Sequence, residues 1–145
     1  MSTSITQIPN RIDRAISEPW QVRAMAIVDA IIANVLVLIV GRVVIGDYPV
    51  ATVGDDDQTI GFAQVILVTA LVGLVAWGLL ALLERVTARA AAIWTTIALV
   101  VFLLSMLGPL DGGVDTSSKV VLALMHIGAA ATIIPIMLRS TRIES

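Results

Sequence analysis

The stretch IGFAQVILVTALVGLVAWGLLALL, residues 60–83, decides the fold of this chain. It contains no charged residue, and it exceeds the roughly 20 apolar residues that an α-helix needs to cross a bilayer. Helices in the core of a soluble protein are rarely apolar along so long and continuous a run. The stretch therefore predicts a transmembrane helix.

Three further apolar runs lie at about residues 24–45, 91–107 and 118–138. The second of these ends at Gly108-Pro109, which is a strong helix-stop signal. The chain of 145 residues is 58% hydrophobic and 14% charged, whereas a soluble domain has roughly 25% charged residues. We therefore predict a single all-α integral membrane domain, an antiparallel bundle of four transmembrane helices.

The charges between these runs are sorted by sign. Arginines lie before the first run, between the second and third, and after the fourth: Arg11, Arg14, Arg23, Arg85, Arg89, Arg139 and Arg142. The other two gaps hold aspartates: Asp47, Asp55, Asp56, Asp57, Asp111 and Asp115. Because basic loops stay on the cytoplasmic side, we predict a multi-pass protein of the bacterial plasma membrane with both termini in the cytoplasm.

Residues 1–23 are expected to form a cytoplasmic N-terminal segment. Ile5, Ile8, Ile12 and Ile16 recur at spacings of three and four, with charged residues on the other faces. This pattern is typical of a short amphipathic helix that lies on the membrane surface. A frayed tail is the alternative.

No catalytic or metal-binding pattern is present. The chain has no cysteine and one histidine, which excludes disulfides, thiolate metal sites and thiol catalysis. The acidic stretches 54–57 and 111–115 lack the ligand spacing of a calcium loop, so we interpret them as a solvated turn and a flexible connection. No basic patch with interleaved aromatic residues suggests nucleic-acid binding. We predict a protein that is not an enzyme and has no metal or dedicated cofactor, although a bound lipid or quinone is compatible with the sequence.

Four polar residues fall at similar depth in the four predicted spans. Counted at about 1.5 Å per residue from the cytoplasmic edge, Asn34 lies at roughly 15 Å, His126 at roughly 18 Å, and Thr69 and Ser105 at roughly 20 Å. One interpretation is a layer of interhelical hydrogen bonds, worth about 0.6 kcal/mol each. The other is a polar cavity that binds a ligand or relays a proton through His126.

Asp29 lies lower, at roughly 8 Å from the same edge. It could be a proton-coupled carboxylate, or an acid near the interface that pairs with Arg23 or Arg89. Small neighbours on the helix indicate close packing and predict that Asp29 points inward: Ala26, Ala30 and Ala33.

At the opposite side of the membrane, four charged residues are expected at similar height. They are Arg42, Asp47, Asp115 and Lys119. We predict that they form an ion-pair network that closes the outer face of the bundle.

Several segments together are similar to a known family. They are WGLLALLER at 77–85, IWT at 93–95, LSMLGPL at 104–110 and LALMH at 122–126. The chain resembles, over roughly residues 24–138, a family of small actinobacterial four-span membrane proteins that carries only a domain-of-unknown-function label.

The resemblance implies that certain residues sit where the family has similar ones: Asn34, Trp77, Glu84, the Gly108-Pro109 pair and His126. Asp29 departs from the pattern, because a small apolar residue is expected there. The resemblance supports the fold and implies no activity.

Two functions are compatible with these observations. The first is a non-enzymatic membrane protein that acts by binding, either as an accessory or assembly subunit of a membrane complex or as a lipid-binding component. Its partners would be membrane lipids, other membrane protein subunits or further copies of itself. The alternative is a small oligomeric proton-coupled transporter that uses Asp29 and His126.

Overall fold

The computed structural model describes residues 19–53 and 55–141. Its elements in chain order are α1 (Pro19–Ile45), β1 (Val50–Val53), β2 (Asp56–Thr59), α2 (Phe62–Val86), α3 (Ala90–Ser105), α4 (Leu107–Gly112) and α5 (Thr116–Thr141). The predicted N-terminal segment, residues 1–23, overlaps the start of α1, and its isoleucines lie outside the described residues.

Four helical stretches are long and apolar enough to cross a membrane: Pro19–Ile45, Phe62–Val86, Ala90–Gly112 and Thr116–Thr141. The third consists of α3 and α4 together. The prediction of an all-α membrane protein with four spans is confirmed, and each helix extends a few residues beyond the predicted apolar run. The apolar outward faces of these helices, with residues such as Leu67, Val75 and Leu103 more than half exposed, are suited to contact with lipid.

The helices form a closed ring in which α3 is the least tightly held member. Helix α1 packs most extensively against α5 and next against α2, whereas α3 makes smaller contacts with α2 and α5. Only Ala90 and Trp94 of α3 are buried. The side of the bundle between α2, α3 and α5 is therefore less densely filled than the side around α1.

We call the two ends of the bundle the arginine end and the hairpin end. The arginine end holds the start of α1 and the end of α5, and the hairpin end holds the β1–β2 hairpin. Each end has its own buried apolar cluster. Ala26, Ala30, Leu80, Trp94 and Met137 belong to the cluster of the arginine end. Leu38, Ile60, Val65, Val121, Leu122 and Met125 form that of the hairpin end.

Two glycines allow close approach of α1 to its neighbours. A Cβ atom added to Gly41 of α1 would lie 2.7 Å from a methyl group of Val121 on α5. One added to Gly73 of α2 would lie 2.8 Å from Ile27 on α1. Small residues at helix crossings permit such packing in membranes, which explains why α1 is the best buried helix.

The third span does not stop at Gly108-Pro109, and that prediction is wrong. The helix breaks at Met106 and resumes as α4, with Pro109 buried in its first turn. Proline removes the N–H that would bond to the carbonyl four residues earlier, and its ring clashes with that carbonyl. For Pro109 that carbonyl belongs to Ser105, the last residue of α3. The proline therefore causes a break one turn before itself and is tolerated at the start of the next helix.

A short β-hairpin, which was not predicted from the sequence, forms most of the α1–α2 connection. Gly46 has φ of +87°, and its N–H donates to the Arg42 carbonyl at 2.9 Å, which is the usual left-handed end of a helix. Strands β1 and β2 then pair from Val50–Thr59 to Val53–Asp56. The residues of β2 are all exposed, so Asp56 and Asp57 of the predicted solvated acidic turn belong to an exposed strand.

Candidate intramembrane binding site

A partly open cavity of about 380 Å³ lies mainly between α2, α3 and α5. Its wall is mostly apolar. It includes small residues that leave space where α3 has few contacts with α5. The apolar lining includes Val68, Val72, Ala98, Val101, Phe102, Met125, Ala129, Ala130 and Ile133. The space is thus a consequence of small side chains on α3 and α5 facing each other across the loosest contact of the ring.

All four residues that the sequence placed in one polar layer line this cavity: Asn34, Thr69, Ser105 and His126. Each comes from a different span, so the structure brings the four residues together around one space. Gln64, near the start of α2, also contributes to the wall. The cavity therefore combines an apolar wall with a small polar region, which is the usual composition of a small-molecule site.

A direct interhelical hydrogen bond joins two of the four. The amide Nδ2 of Asn34 donates to Oγ1 of Thr69 at 3.0 Å, and both side chains are buried. The other end of the amide, Oδ1, is buried without a hydrogen-bond partner among the described residues. It lies beside Gly128 of α5, where an added Cβ would approach it to 3.4 Å. Burying an unpaired polar atom is costly, so this layer is not fully explained by hydrogen bonding between helices.

His126 and Ser105 bond to the backbone of their own helices. Nδ1 of His126 lies 2.8 Å from the Leu122 carbonyl oxygen, and Oγ of Ser105 donates to the Phe102 carbonyl at 2.7 Å. Because a carbonyl oxygen only accepts, Nδ1 carries the proton, and the neutral ring has a bare acceptor at Nε2. The predicted layer is therefore one interhelical bond plus two side chains that face the cavity independently.

Asp29 does not point inward, which corrects the sequence interpretation. Its side chain is exposed on the outward face of α1, beside the exposed Val28 and Ile32. Ala26 and Ala30 are both fully buried and mark the packed face of α1. Asp29 lies beside this face, on the exposed side of the helix, so its small neighbours did not predict its direction. Consequently the structure does not bring Asp29 and His126 together.

A buried ion pair at the arginine end was not predicted. Nη2 of Arg23 donates to Oε1 of Glu84 at 2.7 Å, and Nε of Arg23 donates to Oγ of Ser140 at 2.9 Å. The contacts join α1, α2 and α5, with the Arg23 side chain 5% exposed. Arg23 thus pairs with Glu84 rather than with Asp29, the partner that the sequence suggests. A carboxylate directly at the end of an uncharged span was the signal that could have pointed to Glu84.

The predicted ion-pair network of the outer face is not formed by its four residues. Arg42 donates to the hydroxyl of Tyr48 at 2.7 Å and lies over its ring, 4.2 Å from the centroid. Asp47 accepts from the Tyr48 N–H at 2.7 Å. The sequence could not reveal this, because the turn that carries Tyr48 depends on the unpredicted hairpin.

Asp115 and Lys119 act within the start of α5. Asp115 accepts from the backbone N–H of Ser118 at 2.8 Å and from its hydroxyl at 2.9 Å, so it caps the helix. These hydrogen bonds lower the pKa of Asp115 below its ordinary value. The side chain of Lys119 packs over Gly113, where an added Cβ would clash with it. Helix capping and packing thus replace ion pairing at this end.

Comparison with known proteins gives one match. No curated protein and no solved structure matches this chain. A model of a protein family of unknown function matches residues 14–143, which includes all four spans and the cavity. On this evidence the chain belongs to DUF6069, a family of unknown function.

Proposed function

We propose that this is a non-enzymatic membrane protein that acts by binding an apolar molecule from the surrounding bilayer. The observation that carries the proposal is the cavity of about 380 Å³ with an apolar wall and a polar region inside the membrane-spanning part. Ligand sites typically occupy about 300–1,000 Å³. The volume is therefore suited to one small apolar molecule or one chain of a lipid.

The route into the cavity is from the membrane. Val68 and Val72 of α2 and Val101 of α3 line the cavity and also have about half of their surface exposed. They belong to two helices whose mutual contact is small. A molecule dissolved in the bilayer can thus reach the cavity between α2 and α3 without passing through water.

The proposal is tested by filling the cavity. Ala130 lines it, whereas the next residue, Ala131, is exposed on the outer surface of α5. Native mass spectrometry of the protein released from membranes in mild detergent should detect a copurified lipid-soluble molecule. We expect Ala130→Leu to lose this molecule and Ala131→Leu to retain it. Equal retention in both variants would show that the molecule binds elsewhere.

A second candidate, an accessory subunit of a membrane complex, is favoured by Asp29. The exposed stripe of α1 contains Met25, Val28, Ile32 and Leu36, each more than half exposed, and Asp29 lies within it. A carboxylate on a lipid-facing helix costs about 2.5–3.5 kcal/mol at the bilayer centre and less toward the interface, where Asp29 is expected. Asp29 lies about 9 Å beyond Arg23 along the helix, so a hydrogen-bonding partner on this face would offset part of that cost.

This second candidate predicts a complex that depends on Asp29. In mild detergent the native protein should elute with a partner subunit or a second copy, and Asp29→Leu should release it, while Val28→Leu should not. Elution of the native protein as a monomer would contradict the candidate. The alternative of a proton-coupled transporter receives no support from the placement of Asp29, which lies outside the cavity that holds His126.

We further propose that the protein resides in the bacterial plasma membrane with both termini in the cytoplasm. The support is the arginine end, which holds Arg23, Arg85, Arg89 and Arg139, together with the tendency of basic loops to remain inside. The exposed aspartates of β2 would then face the exterior.

A further inference from the structure

We propose that the cavity selects an apolar molecule that carries a hydroxyl donor, and that Nε2 of His126 accepts the hydrogen bond from it. The inference deepens the proposed binding function and rests on it. Prenyl alcohols and alkyl hydroquinones share this chemistry, an apolar body with an O–H group.

The proton position on His126 carries the argument. Nδ1 is committed to the Leu122 carbonyl at 2.8 Å, which only accepts, so the neutral ring cannot donate from Nε2. Because Nδ1 is turned toward the backbone of α5, the opposite edge of the ring, with Nε2, is directed away from it. The ring lines the cavity and is partly exposed, and Nε2 has no hydrogen bond to any described residue. It is thus an acceptor available to a ligand.

The other polar groups of the wall offer both acceptors and donors. The hydroxyl of Thr69 accepts from Nδ2 of Asn34 and keeps its own proton as a donor. Ser105 uses its proton on the Phe102 carbonyl, which leaves its oxygen as a second acceptor. Gln64 can both donate and accept, so it does not discriminate. The surrounding valines and alanines make the wall apolar, and in apolar surroundings the pairing of an acceptor with a ligand hydroxyl is favourable.

Matched ligand pairs test the inference. Dissociation constants are measured for the detergent-solubilised full chain with farnesol and farnesyl methyl ether, and with decylhydroquinone and decylbenzoquinone. Within each pair only the first member donates. We expect the donor to bind about two- to tenfold more tightly, as one added hydrogen bond implies. The comparison of the two donors shows whether the site prefers an aliphatic alcohol or a hydroquinone.

Two variants assign the effect to the ring. His126→Phe keeps an aromatic ring and removes both nitrogens, and we expect it to bind the two members of each pair equally. Thr132→Val is the control on the same helix, because Thr132 bonds to its own backbone and does not line the cavity; it should keep the preference.

The outcomes separate this inference from the function on which it rests. If the native protein binds both members of each pair with equal affinity, the donor selection is wrong while binding stands. If the preference persists in His126→Phe, His126 is not the acceptor. If none of the four molecules binds, and no copurified molecule depends on Ala130, the proposed binding function fails as well. The wild-type comparison remains decisive even where the His126 variant does not fold.

Discussion

At the scale of single residues, the Arg23–Glu84 pair is the main electrostatic contact between helices. Arg23 is 4% exposed, and hydrogen bonds from its guanidinium reach Glu84 on α2 and Ser140 on α5. A buried pair gains little over apolar residues of the same shape, but a buried charge that loses a partner is costly. The pair therefore contributes mainly by fixing how the three helices meet.

Replacement of one partner should destabilise the protein strongly. We expect Glu84→Gln to lower the free energy of unfolding by about 3 kcal/mol, at the lower end of the range for buried pairs because a fifth of Glu84 is exposed. Denaturation in mixed micelles measures it. The neighbouring Arg85→Gln, at an exposed position, should change stability by less than about 0.5 kcal/mol. Equal effects of the two changes would mean that the ion pair has no structural role.

At the scale of helices, contacts of α1 through glycine contrast with the sparse contacts of α3. Gly41 and Gly73 place side chains of neighbouring helices where a Cβ would otherwise lie. Helix α3 has no comparable close contact, and it breaks at Met106 because of Pro109. The cavity lies next to this loosely held helix, so local packing determines where a ligand can enter.

A matched pair of glycine substitutions tests this account of packing. Gly41→Ala brings a methyl group to within 2.7 Å of Val121, and overpacking of this kind costs about 1–3 kcal/mol. At Gly78 of α2 no atom lies within 4 Å of an added Cβ. Gly78→Ala should therefore be neutral or stabilising by up to about 1 kcal/mol, because alanine favours helix. If the same unfolding assay shows similar losses of stability for Gly41→Ala and Gly78→Ala, the close contact of α1 with α5 at Gly41 is contradicted.

The sequence predicts those features that depend on hydropathy or on depth. The four spans follow from long apolar runs, and counting residues along the helices selected four polar residues that line one cavity, Asn34, Thr69, Ser105 and His126. Features that depend on rotation about a helix, or on contacts made by loops, could not be predicted. The exposed Asp29 and the buried Ala26 differ in their angular position around the α1 axis. Tyr48 accepts a hydrogen bond from Arg42 because of a turn that hydropathy does not indicate.

At the scale of the whole molecule, the two ends of the bundle differ in charge and construction. The arginine end is held by a buried ion pair, whereas the hairpin end is covered by two strands, with an isolated bridge between Ala51 and Gly113. This asymmetry is the basis of the proposed orientation, in which the hairpin faces the exterior.

The orientation can be measured by cysteine labelling, because the chain has no native cysteine. Asp56→Cys lies on the exposed β2 strand and Ala88→Cys in the exposed α2–α3 connection. In intact spheroplasts, a membrane-impermeant maleimide should label Asp56→Cys and should label Ala88→Cys only after permeabilisation. The reverse pattern would place the arginine end outside.

The central claim is that an apolar molecule occupies the cavity between α2, α3 and α5. Photolabelling of the protein in native membranes with a diazirine-bearing prenol, followed by peptide mapping, tests it most directly. We predict adducts on cavity residues such as Val72, Phe102 and Met125, with loss of these adducts in Ala130→Leu and their retention in Ala131→Leu. Adducts confined to the outward faces of the helices, or unchanged by Ala130→Leu, would contradict the claim.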